Sequence, residues 1–186
     1  EKAGLKISIT SLPGVRAEAS VKTGRTDGEI MRIWSYGDEN PGVIRVPTPY
    51  YYLETMAFFK RSGHLSDVTV EELKTLNIVK VRGVKHTNNI TKGFPHVRDV
   101  SSTTQMMQIL KKRYDIDVAL TNTIDGKVHL QRLDMVNAIQ LNSYPLATLP
   151  LYHYLRKDHA DQVPVIDRII KEMRNNGELE QLIAQA

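Results

Sequence analysis

Strand-like and helix-like segments take turns along the whole of this chain, and almost none is longer than about a dozen residues. Residues 5–12 alternate apolar and polar side chains, the period of a half-buried strand. Pro13 and Gly14 make a turn, 15–22 has helical spacing and Gly24 closes it. Residues 27–33 form a second strand, 38–42 a loop by composition, and 43–46 a short extended piece. Residues 50–61 read as one long strand.

After Ser62 and Gly63 the pattern restarts. Thr69 and Glu72 have capping-box spacing and open a short helix that ends near Leu76. A strand at 77–82 stops at Gly83, a short helix lies near 88–92, and 96–100 is a strand. Ser102 and Gln105 cap a helix running to Tyr114, with Met106, Met107, Leu110 and Tyr114 on one face. Strands at 117–121 and 135–141 flank a helix at 123–133 that Gly126 weakens. A further extended stretch covers 149–157. Ile166, Ile169, Ile170 and Met173 mark a closing helix over 163–174, interrupted by Gly177 and resumed by Leu179, Leu182 and Ile183. Such alternation predicts an α/β fold with mostly parallel sheets.

Composition narrows the function classes. The chain has 186 residues, 41% of them hydrophobic and 25% charged, enough apolar material for a core. No apolar run approaches the length that spans a bilayer, so no direct membrane insertion is expected. With no Cys, thiolate metal sites, disulfides and Cys nucleophiles are excluded. The net charge is +4, but Lys and Arg are scattered, so no nucleic-acid partner is expected. The six His show no metal-ligand spacing, and no nucleophile elbow or phosphate loop is present. The chain is therefore read as a non-enzyme without metal or cofactor, an enzyme being the lesser alternative.

The stretch from Asp27 to Arg61 has a distinctive order: Asp27, Gly28, Glu29 and Ile30 in a strand, then Ile44, Arg45 and Val46, then Pro49, Tyr50 and Tyr51 leading into a strand that ends at Lys60. Later come Asp67, Val68 and Thr69 before Glu71, Glu72 and Leu73, a strand ending Val81, Arg82, Gly83 and Val84, and the run Tyr114 to Ala119. Asn175, Asn176, Gly177, Glu178 and Leu179 interrupt the closing helix. In this order the chain resembles family 3 of the bacterial extracellular solute-binding proteins over nearly its whole length. The resemblance implies the type II periplasmic-binding-protein fold: two α/β lobes joined by two extended crossovers, with a ligand held in the cleft. On this sequence lobe 1 would be residues 1–61 plus 147–186, lobe 2 residues 62–146, and the crossovers 53–60 and 147–156. The family opens with a strand and most of a helix ahead of the position of Glu1, so lobe 1 is expected to be N-terminally incomplete here. The implied function is binding of a small polar solute, anionic if Arg residues hold it, for a membrane permease of ABC type. The same fold serves as the periplasmic sensor domain of a membrane signalling protein. Localisation would be periplasmic, after removal of a signal peptide.

Candidate ligand residues follow from position and chemistry. Arg32 ends the 27–33 strand, where ligands of open α/β sheets gather, and its planar fork suits a carboxylate; Glu29 is its internal alternative. Arg16 follows the Pro13–Gly14 turn at the same edge. Tyr50 and Tyr52 should share a face, and they and Trp34 are amphipathic rings suited to lining a cleft or to packing beside the hinge. Glu54 on the first crossover would wall the cleft or pair with Lys60 or Arg61. Thr87 follows a strand and would cap a helix or touch ligand. Asn122 ends the 117–121 strand; family members that bind amino acids place an acid there, so Asn122 argues against an α-ammonium ligand while retaining hydrogen-bonding capacity.

Overall fold

The ten-residue strand β3 (Tyr51–Lys60) organises half of the molecule. Its residues 55–59 are buried without a break, because helices cover both faces of the sheet around it. Met56 and Phe58 point to one side, into a cluster with Val79, Ala119, Met106, Met107, Leu110 and Leu130. Ala57 and Phe59 point to the other, against Ile78, Val118, Leu120, Val68 and Leu73. The period-2 geometry of a strand thus splits one apolar run between two cores.

The structure is a computed structural model and describes residues 2–185. The chain forms two compact units, Glu1–Tyr52 with Leu149–Ala186, and Leu53–Thr148. It passes from one to the other twice, along β3 and along β8 (Ala147–Arg156).

The first unit holds α1 (Gly14–Lys22), β1 (Gly28–Arg32), α2 (Ser35–Glu39), β2 (Val43–Arg45), most of β8, a 3-10 turn (Lys157–Gln162), α7 (Val163–Asn175) and α8 (Glu178–Gln185). Strands β1 and β2 both pair antiparallel with β8. Val21, Tyr36, Val43, Tyr152 and Tyr154 form one small core, and Val46, Val163 and Ile170 form a second.

The second unit holds α3 (Val70–Leu73), β4 (Ile78–Val81), α4 (Lys85–Ile90), β5 (Val97–Val100), α5 (Thr103–Lys112), β6 (Val118–Asn122), α6 (Thr123–Arg132) and β7 (Ile139–Leu141). Strand β4 runs parallel to β5 and β6, whereas β3 is antiparallel to β6 and β7. The α/β class stands, but the mostly parallel sheets expected from the alternation are mixed. The long strand β3 enters the unit against the direction of its neighbours, and periodicity carries no information about direction.

Several local expectations hold for the stated reasons. The Thr69–Glu72 capping box forms in both directions, and Ser102 accepts from Gln105 N at the start of α5. Helix α6 runs through Gly126 because only glycine fits there: a Cβ would lie 2.0 Å from Phe58 Cζ. Other expectations fail where tertiary partners decide. Residues 5–12 form no strand; Ile7 and Ile9 are 68% and 77% exposed, and among the described residues no ladder partner lies beside them. The supposed loop at 38–42 begins inside α2, which is held by the burial of Tyr36 and by Asn40 Nδ2 donating to Tyr36 O. Tyr114 lies beyond the end of α5 and is 98% exposed rather than on its apolar face. The strand expected over 135–141 is confined to β7, with Met135 buried ahead of it. Helix α4 starts at Lys85, three residues before the expected one.

Candidate functional site

In the second unit, polar side chains gather where β4 and β6 end and α4, α5 and α6 begin. Asn122, the last residue of β6, caps α6: its Oδ1 accepts from Asp125 N at 2.9 Å. The Oδ1 of this candidate ligand contact thus serves a helix terminus. Next to it, Thr123 Oγ donates to Glu54 Oε2 at 2.8 Å. The expected pairing of Glu54 with Lys60 or Arg61 does not occur. Lys60 instead reaches the end of α5, where Nζ donates to the carbonyls of Leu110, Arg113 and Ile116 at 3.3, 3.0 and 2.7 Å. A cation suits the electronegative end of a helix.

Asp125 is the hub of this edge. Its Oδ2 accepts from Thr103 Oγ at 2.7 Å and Thr121 Oγ at 2.9 Å, and His129 Nδ1 lies 3.2 Å from Oδ1. His86 is buried, with Nδ1 2.8 Å from Thr55 Oγ. Burial pushes its pKa down to about 4, against a smaller upward pull from the Asp125 charge. Thr87 is not a cap. It sits inside α4, buried, with its hydroxyl donating to Val84 O at 3.0 Å.

The first unit gathers a different set. At Met31 the backbone has φ of 61°, the left-handed region that non-glycine residues seldom enter, and the β1–β8 register shifts between Glu29 and Arg32. Met31 N donates to Tyr50 OH at 2.8 Å, which holds the irregular turn in place. Beyond it, Arg32 Nε donates to Glu29 Oε2, Nη2 donates to Gly14 O at 3.0 Å, and the guanidinium lies 4.8 Å from the Tyr36 ring centre. Of the two partners open to Arg32, the protein itself supplies Glu29. Arg16 is exposed on α1.

Tyr50 stacks on His153 with ring centres 4.1 Å apart. Burial raises the Tyr50 hydroxyl to about 12 and lowers His153 to about 4. Tyr52 is 46% exposed and accepts from Arg174 Nη2 at 3.4 Å. Trp34 is 53% exposed; it meets Tyr152 edge to face at 5.8 Å, and Arg45 Cζ lies 3.0 Å from its ring centre. A pocket of about 410 Å³ also opens in this unit, lined by Val21, Tyr36, Asn40, Val43 and Arg156 among others. None of the residues singled out from the sequence lines it.

Arg32, Trp34, Tyr50 and Tyr52 thus belong to one unit, and Glu54, Thr87 and Asn122 to the other. The sequence reading missed His86, Asp125, His153 and Arg45. The only signal for Arg45 was an arginine set between Ile44 and Val46 in a short extended run, and lone histidines give none. Among the described residues, no three His, Asp or Glu side chains converge as metal ligands would.

No protein-family model matches the chain. An uncharacterized protein of Shewanella oneidensis is 27% identical over 195 residues, covering 98% of this chain and 70% of that protein. Among solved structures, a putative binding component of an ABC transporter from Wolinella succinogenes, complexed with lysine, matches with a TM-score of 0.78 at 15% identity over 98% of this chain and 78% of that one. A histidine kinase sensor domain with similarity to periplasmic binding proteins matches with a TM-score of 0.73 at 16% identity, over 92% and 74%. The chain has the α/β fold of the periplasmic binding proteins, as the resemblance implied. Among the described residues, no helix is long and apolar enough to cross a membrane.

Proposed function

We propose that this chain binds a small polar solute as the extracytoplasmic solute-binding component of an ABC-type importer. One observation carries this reading: the chain is divided into two units that β3 and β8 link twice, in the fold of a transporter binding component that was solved with lysine. The polar edge formed by Asn122, Thr123, Glu54 and Asp125 stands at strand C-termini, where open α/β sheets bind ligands. Arg32, Trp34, Tyr50 and Tyr52 are the proposed contributors of the first unit, and Thr87 acts through the shape of α4, since its hydroxyl is already bonded. The hydroxyl–imidazole pair of Thr55 and His86 is buried, out of reach of a solute, which supports binding without chemistry. A solute that binds one conformation more tightly than another shifts the equilibrium towards it.

The likeness to the histidine kinase sensor domain supports a second reading, in which the same binding event drives a signalling protein. The two share one test of binding. A thermal-shift screen of amino acids including lysine, organic acids and small peptides should find a stabilising solute. At about 100 times its Kd such a solute adds roughly 2.7 kcal/mol. A screen in which no small molecule stabilises the folded chain would overturn both.

A further inference from the structure

We propose that the first unit contains an anion-binding site centred on Arg45, with Trp34 as its floor, that takes the carboxylate of a small organic acid. Strand pairing builds it. Arg45 stands opposite Tyr154 in the β2–β8 ladder, and Arg32 stands opposite Tyr152 in the β1–β8 ladder, so the chain just beyond β1 brings Trp34 to the same part of β8. The Arg45 guanidinium carbon then lies 3.0 Å from the Trp34 ring centre and 5.1 Å from that of Tyr152. Two aromatic rings fix the plane and position of the fork, which a flexible surface arginine lacks.

What the fork lacks is an acceptor. Four other arginines of this unit are occupied: Arg32 by Glu29 and Gly14 O, Arg156 by Asp158, Arg168 by Glu172, Arg174 by Pro49 O and Tyr52 OH; Arg16 and Arg25 are exposed to solvent. Among the described residues, the Arg45 side chain has no hydrogen-bond acceptor and no carboxylate partner, and its Nε is buried without one. A partly buried donor left unpaired costs free energy. A planar, pre-oriented guanidinium is matched by a carboxylate, which accepts two parallel hydrogen bonds. Trp34 remains half open beside it, offering an apolar ring face to the rest of such a ligand. The site lies within one unit, so it stands or falls separately from the receptor reading.

The reporter is built in, because Trp34 is the chain's one tryptophan. Titration of the protein with sodium acetate and with sodium malonate should give a saturable change in tryptophan emission, which sodium chloride at equal ionic strength does not reproduce. Arg45→Gln should abolish the response, and Arg45→Lys, which keeps charge but loses the fork, should weaken half-saturation about tenfold. The absence of a saturable response in the parent protein, or the same half-saturation in either variant, would overturn the site. Should Arg45→Gln fail to fold, arginine side-chain NMR of the parent decides: acetate must shift the Arg45 guanidinium resonances, and unmoved resonances sink the proposal. A solute screen that finds no ligand, alongside a positive acetate titration, would remove the receptor reading and leave this site.

Discussion

Inside the second unit, His86 Nδ1 and Thr55 Oγ lie 2.8 Å apart, both side chains buried. The contact ties α4 to β3 and leaves the imidazole neutral, because burial holds its pKa down at about 4. Replacing Thr55 with Val keeps the shape but leaves a buried ring nitrogen unpartnered. We expect Thr55→Val to destabilise by about 1–3 kcal/mol, measured by urea unfolding.

The same histidine gives the protein an acid limit. Its folded pKa of about 4 lies below the usual 6.5, so as pH falls the unfolded chain takes up the proton first. The stability from a neutral His86 is fully present above pH 6.5 and is lost as pH falls from 6.5 towards 4. The loss from this one residue is about 3 kcal/mol. His153, lowered to about 4 by burial against Tyr50, adds in the same direction. Urea unfolding at a series of pH values should show the decline, and His86→Gln should flatten it. An unchanged pH slope in that variant would show that His86 is not the group titrating.

Arg32→Ala alone will not report on ligand binding, because it strips the partner from Glu29, whose side chain is 5% exposed. A buried carboxylate left alone is costly, so we expect a loss of about 3 kcal/mol. Arg32→Met combined with Glu29→Gln removes both charges and should recover much of it. Thermal shift on that double variant separates the two roles: retained stabilisation by a solute would place Arg32 in the framework, and lost stabilisation would place it in the site.

Lys60→Met should destabilise by about 1–3 kcal/mol, since three carbonyls at the end of α5 lose their donor. Hydrogen exchange should show faster opening of residues 110–116, with α3 unaffected.

Gly126→Ala places a methyl group into the Phe58 ring, 2.0 Å from Cζ. We expect a loss of about 1–3 kcal/mol, with Phe58→Leu partly rescuing it in a double-mutant cycle read by urea unfolding. Additive losses would show that the two residues are not in contact.

The elements themselves were largely legible, because each is written in local chemistry. Capping at Thr69 and Ser102, the stop at Gly83, the spacing of Ile166 and Ile170 and the long apolar run of β3 act through neighbours a few residues away. The sequence by itself therefore determined the α/β class, most strand and helix positions, and the face of α5 that carries Met106, Met107 and Leu110 into the core. Tertiary structure alone decided the internal partners of the candidate side chains: Asn122 Oδ1 caps a helix, the Thr87 hydroxyl bonds a carbonyl, and Arg32 pairs with Glu29. Arg45 became a candidate only when β2 and β1 were laid on β8 and no acceptor came with it. Local pattern is set by the steric and hydrogen-bonding preferences of adjacent residues. Whether a polar atom is satisfied depends on partners that can lie more than a hundred residues away, and no periodicity records them.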